Sequence, residues 1–191
     1  MQIPNLDPQS QLILQRYAGI LLILCAVIFV PAGILYTGRA IWQWPFAQTG
    51  RYLLWERSLV IAAALINVMG FVLLTSLLRN AGDAVIAPLA LTVYVIATAV
   101  LLAAEGAFLG NRRWAMSQVA LYVVLAFLVQ AAFGGSLLQT GLLPAWAGWT
   151  TLLWNVGCLT VFVVIRPDEI YYPVLHHVAP LIIGIALLVH L

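Results

Sequence analysis

Six mostly apolar runs divide the chain, at 12–36, 59–78, 84–109, 114–138, 144–165 and 173–191. Each is close to the ~20 residues that carry a helix across the hydrocarbon layer of a bilayer. Inside lipid every backbone amide and carbonyl must be satisfied within its own segment or in a closed barrel. The runs lack the alternating pattern of barrel strands. The predicted fold is therefore all-α: a polytopic membrane protein, one transmembrane domain over 1–191, built as a bundle of six transmembrane helices. Charged residues stand at nearly every break. The shortest break is "QTGLLP" at 139–144, where Gly141 and Pro144 supply turn and first-turn signals.

Composition supports the same reading. Hydrophobic residues make up 64% of the chain and charged residues 7%, against about 45–50% and about 25% in a soluble domain. Lysine is absent, which excludes a lysine Schiff base or amine nucleophile. A net charge of +2 without a basic cluster gives no footprint for nucleic acid. Cys25 and Cys158 both lie inside apolar runs and read as small hydrophobes. No basic region precedes the first run, which reads as a retained membrane helix rather than a signal peptide.

Arginine bias sets the expected orientation. Loops 37–57, 110–113 and 166–172 hold Arg39, Arg51, Arg57, Arg112, Arg113 and Arg166, while the opposite side holds Arg16 and Arg79. The three loops are expected in the cytoplasm, with the chain in an inner (plasma) membrane. The 37–57 loop mixes Trp42, Trp44, Phe46, Tyr52 and Trp55 with three arginines. It reads as an interfacial segment in the headgroup layer, with a lid over an intramembrane cavity as the alternative.

Ionisable side chains inside a membrane are expensive and mark function by default. Glu105 lies about five residues before the end of the third run, roughly 8–10 Å below Arg112 and Arg113. Helical spacing puts Tyr94, Thr98 and Glu105 on one stripe. His176 and His177 enter the sixth run from the same side, as do Gln118 and Tyr122 in the fourth. A binding site in one membrane half is expected from Glu105, His176, His177, Gln118, Tyr122, Tyr94 and Thr98. The competing reading has Glu105 paired with Arg112 or Arg113 at the interface. If both histidines are helical they point about 100° apart, so only one faces inward. Pro180 removes the bond to the His176 carbonyl, which favours His176.

A Glu–His pair is competent for proton exchange near neutrality. A bis-histidine haem within one chain is excluded, because His190 lies at the opposite end of the sixth run. A carboxylate and one histidine leave zinc short of its four ligands. The cofactor and the enzymatic status stay open. "GAFLG" at 106–110 offers a GxxxG for close helix approach, and Asn67 and Asn155 offer interhelical hydrogen bonds.

At "LLPAWAGWTTLLWNVG" (142–157) and "YYPVLHHVAPLIIGIALL" (171–188) the chain resembles small bacterial six-helix integral membrane proteins with a domain of unknown function. The resemblance implies a bacterial inner membrane and supplies no activity. The expected function is binding or transport of a small molecule, lipid or ion. An accessory subunit of a larger membrane complex is the alternative, and an enzyme acting on a lipid-soluble substrate comes third. The expected partners are membrane lipid and a homo-oligomer or larger complex.

Overall fold

The computed structural model describes residues 7–109, 115–165 and 175–190. Within them the chain forms six α-helices and no strand. They are α1 (Pro8–Ala40), α2 (Gly50–Asn80), α3 (Ile86–Leu109), α4 (Ala115–Thr140), α5 (Ala145–Ile165) and α6 (Val178–Val189). Five of the six are long and apolar enough to cross a membrane. The chain is a multi-pass helical membrane bundle. α1 packs against α2 and α6, α3 lies between α2 and α4, and α5 follows α4.

α1 begins where the Asp7 carboxylate accepts the amides of Gln9 and Ser10, each at 3.0 Å, satisfying donors that no helical carbonyl can reach. At 1.5 Å per residue α1 and α2 are about 50 Å and about 46 Å long, well beyond the ~30 Å hydrocarbon layer. The expected 37–57 loop shrinks accordingly. Only 41–49 separate the two helices, with a 3₁₀ turn at Pro45–Gln48. Trp42, Trp44, Phe46 and Tyr52 stack in series with ring centroids 5.3, 5.4 and 5.8 Å apart. Trp44 lies directly over Gly38, where any Cβ would strike its ring. The turn is thus a compact aromatic clasp, with Trp42 and Phe46 still more than half exposed. The difference has a simple cause: charges that pair inside a bundle do not end helices, and Arg39, Glu56 and Arg57 do pair.

Two glycine contacts set the helix spacing. A Cβ on Gly184 would meet the Gly19 carbonyl at 2.9 Å, and one on Gly134 would meet the Leu152 amide at 2.6 Å. α1 and α6, and likewise α4 and α5, therefore touch backbone to backbone. The expected GxxxG at 106–110 does not do this at Gly106, which faces open space; Gly110 lies outside the described residues. Asn67 does bridge helices, donating from Nδ2 to the Tyr94 hydroxyl at 2.6 Å. Asn155 instead donates to the Thr151 carbonyl of its own helix.

Between α2 and α3, Asp83 accepts the amides of Val85, Ile86 and Ala87 and the Ser136 hydroxyl of α4. Burial pushes its pKa up, but these donors outweigh burial and hold the carboxyl below its ordinary value. Near this end the interior is aromatic: Phe71 stacks on Phe133 at 4.5 Å, and Phe127 is fully buried.

The sixth run departs most from expectation. Leu175 is helical, a turn follows at His176–His177, and the last helix then runs Val178–Val189, its 12 residues spanning only about 18 Å; 173–174 lie outside the described residues. Pro180 consequently falls in the first turn of α6, a position that tolerates proline. The expected loss stands: Pro180 has no N–H to give the His176 carbonyl, and the helix is interrupted at His176–His177, between a helical Leu175 and Val178.

Candidate functional site

A cavity of about 140 Å³ opens among α1, α2, α3, α4 and the His176–His177 turn. One wall is charged. Arg39 of α1 binds Glu56 of α2 through two nitrogens, at 2.8 and 2.9 Å. Arg57 reaches Glu56 at 3.0 Å and Glu105 of α3 at 2.9 Å. The four side chains form a continuous chain, Arg39–Glu56–Arg57–Glu105, and their charges cancel. Glu56, Arg57 and Glu105 are buried, while Arg39 remains 28% exposed at the rim. Arg57 also lies over the Phe108 ring, 4.4 Å from its centroid, a cation–π contact that partly replaces lost hydration. The alternative partners for Glu105, Arg112 and Arg113, lie outside the described residues.

Another wall is made by the turn. His176 Nε2 and the Tyr122 hydroxyl are 2.9 Å apart. Tyr122 lies 3.5 Å from the Tyr94 hydroxyl, which accepts from Asn67. Among the described residues a polar line runs His176, Tyr122, Tyr94, Asn67, and Phe71 stands edge-on to Tyr94 at 5.0 Å. His177 is stacked between neighbours, its ring centroid 4.1 Å from both His176 and Phe29.

Both histidines are buried and both line the cavity. The expectation of one inward and one lipid-facing histidine assumed helical geometry. In a turn two successive side chains can share a side. Non-helical backbone at membrane depth is tolerated only where protein buries it or a cavity borders it. Here Trp154 Nε1 of α5 donates to the Leu175 carbonyl at 2.9 Å, replacing a helical bond.

Of the seven expected residues, Glu105, Tyr122, His176 and His177 line the cavity. Tyr94 lies behind Tyr122. Thr98 is buried on α3, and its hydroxyl has no partner among the described residues. Gln118 is half-buried and does not border the cavity; its neighbour Val119 does. Sequence reasoning missed Arg57 and Glu56, which it placed at a helix head. It also missed Gln130, which is fully buried with neither amide atom bonded within the described chain. The usable signal for Arg57 was the adjacent Glu56–Arg57 pair, whose opposite charges suit burial together.

Two buried polar atoms on cavity-lining residues remain unmatched among the described residues: Arg57 Nε on the charged wall and His177 Nδ1 on the turn. A buried group without a hydrogen bond costs about 1–3 kcal/mol, more when charged. Both residues border the same cavity, so a polar group within it could meet these atoms. No family model, curated protein or solved structure matches the chain, so the chemistry of this cavity is read from its own residues.

Proposed function

We propose that the chain is a membrane-embedded binding module whose cavity takes one neutral, ring-sized polar molecule from the bilayer. The supporting observation is the pair of unmatched atoms, Arg57 Nε and His177 Nδ1, on two residues that line one cavity of about 140 Å³. A protein cavity of about 150 Å³ is known to accept benzene, so one substituted six-membered ring suits this volume. Neutrality follows from the charge count: two arginines and two glutamates already cancel, and a bare ion would leave net charge buried. Phe29, Tyr36 and Phe108 supply apolar and aromatic walls. A ring carrying oxygen substituents, phenolic or quinonoid, satisfies both sides, accepting from Arg57 and meeting His177 or Tyr122.

The filled interior around Phe71 and Phe133 supports binding over passage, because the polar line meets an aromatic ring there. The rim at Arg39 lies on the arginine-rich side, which supports a cytoplasmic orientation in an inner (plasma) membrane.

The test uses 4-fluorophenol and ¹⁹F NMR, with the protein in lipid nanodiscs and empty nanodiscs subtracted. Saturable binding is expected. Ala64, buried on the cavity wall, gives the control: Ala64→Leu fills the space and abolishes the signal. Absence of saturable binding, or binding indifferent to Ala64→Leu, sinks the proposal.

A further inference from the structure

A second depression, about 360 Å³, runs along the outer side of α1 and α6. Its walls are almost wholly apolar, among them Val30, Ile34 and Leu181. On α1 it extends from Ala26 to Thr37, about 16 Å. Val30 and Ile34 are 61% and 50% exposed, so this groove faces the lipid.

Three residues belong to both the groove and the inner cavity: Phe29, Gly33 and His177. The partition between them is one layer thick, two stacked rings and a glycine. Its supports are a turn residue and a proline-bearing stretch of helix. On one side His177 sits in a turn rather than in a helix. On the other, Pro31 lies between Phe29 and Gly33 inside α1. It cannot donate to the Val27 carbonyl, which loosens α1 at this point. A proline in α1 would matter only if it bordered the cavity, and Phe29, Ala32 and Gly33 all do.

We infer that the cavity and the groove are two halves of one site for a single-chain amphiphile: the polar ring sits inside, and its apolar chain leaves beside Gly33, where the Phe29–His177 ring contact parts to admit it, and lies in the groove. The inference rests on the binding reading above and adds the tail, its course and the side of entry. Continuity of the walls fixes the occupant. The cavity is too small for a chain, and a head entering from the bilayer must leave its tail on the lipid side. The chain gains little by exchanging lipid for groove, since both are apolar. The groove therefore acts by shape, admitting or refusing a tailed ligand.

The experiment displaces 4-fluorophenol with 4-decylphenol in nanodiscs containing the full chain. Val30→Trp, at an exposed position, and Leu181→Trp, at a half-buried one, each place an indole in the groove, and neither residue lines the cavity. In both variants 4-decylphenol should bind roughly tenfold more weakly, the scale of an overpacking penalty expressed as affinity. Binding of 4-fluorophenol should stay within about twofold, since the cavity is unchanged. Decylphenol carrying a diazirine midway along its chain should label 27–34 and 178–181, and unlabelled ligand should suppress that labelling. Unchanged decylphenol affinity in both variants overturns the inference and leaves the cavity reading intact. Labelling spread over all lipid-facing helices, without suppression, overturns it too and makes the groove ordinary lipid surface. Failure of 4-fluorophenol to bind the wild-type chain removes both.

Discussion

The charged wall makes its sharpest prediction when one member is removed. Arg57 lies 2.9 Å from Glu105 and 3.0 Å from Glu56, and Glu56 is held independently by Arg39 at 2.8 Å. Breaking a buried ion pair costs about 3–5 kcal/mol because the surviving charge is stranded. Arg57→Met strands Glu105, which is 2% exposed and has no other cation in contact among the described residues. It should fall at the upper end, about 5 kcal/mol. Glu105→Gln leaves Arg57 with Glu56 still beside it, so it should fall at the lower end, about 3 kcal/mol. Combining Arg57→Met with Glu105→Gln strands no charge, so the double variant escapes the larger penalty. The double variant should therefore be at least as stable as Glu105→Gln alone. Reversible unfolding in bicelles, measured as a double-mutant cycle, provides the assay. Additive single effects, with coupling below about 0.5 kcal/mol, would refute the reasoning and show that water reaches the pair.

Three further outcomes follow from the packing and the turns. Gly184→Ala drives a methyl group to 2.9 Å from the Gly19 carbonyl and should destabilise by about 1–3 kcal/mol. Gly106→Ala meets nothing and should be neutral or stabilising by up to about 1 kcal/mol; the two midpoints measured side by side decide it. Trp154→Phe removes the N–H that the Leu175 carbonyl accepts. It should cost about 1–3 kcal/mol and speed hydrogen exchange at 176–178. Asp83 sets an acid limit: its folded pKa lies below the unfolded value near ~4. Its contribution is complete above that value and is lost as pH falls through the lower, folded one. Asp83→Asn should flatten the decline in stability measured below about pH 4.

The apolar runs were legible because lipid enforces them residue by residue, and hydropathy records that demand directly. Glu105 was legible for the converse reason: a carboxylate within such a run stands out. Its partner was not. Arg57 lies near the start of an apolar stretch, where arginine ordinarily marks a boundary, and hydropathy cannot distinguish a charge leaving the membrane from one neutralised within it. The His176–His177 turn was missed because a helical period was extended through a segment that is not helical. Pro173 and Pro180, bracketing two histidines in one apolar run, were the available sign of a broken helix. The Gly19–Gly184 contact has no local signature at all, since the residues come from opposite ends of the sequence.

That contact bears on how the molecule is made. At 12 residues α6 falls short of the length that inserts on hydrophobicity alone. Its seat is the Gly19 face of α1, a helix translated well before it. α1 must keep that face vacant while the intervening helices are synthesised. During translation the incomplete bundle therefore presents a notch to the bilayer, which lipid or an insertion chaperone occupies until α6 displaces it. Completion of the cavity waits on α6, and a chain stopped before Val178 should insert five helices yet show no saturable 4-fluorophenol signal.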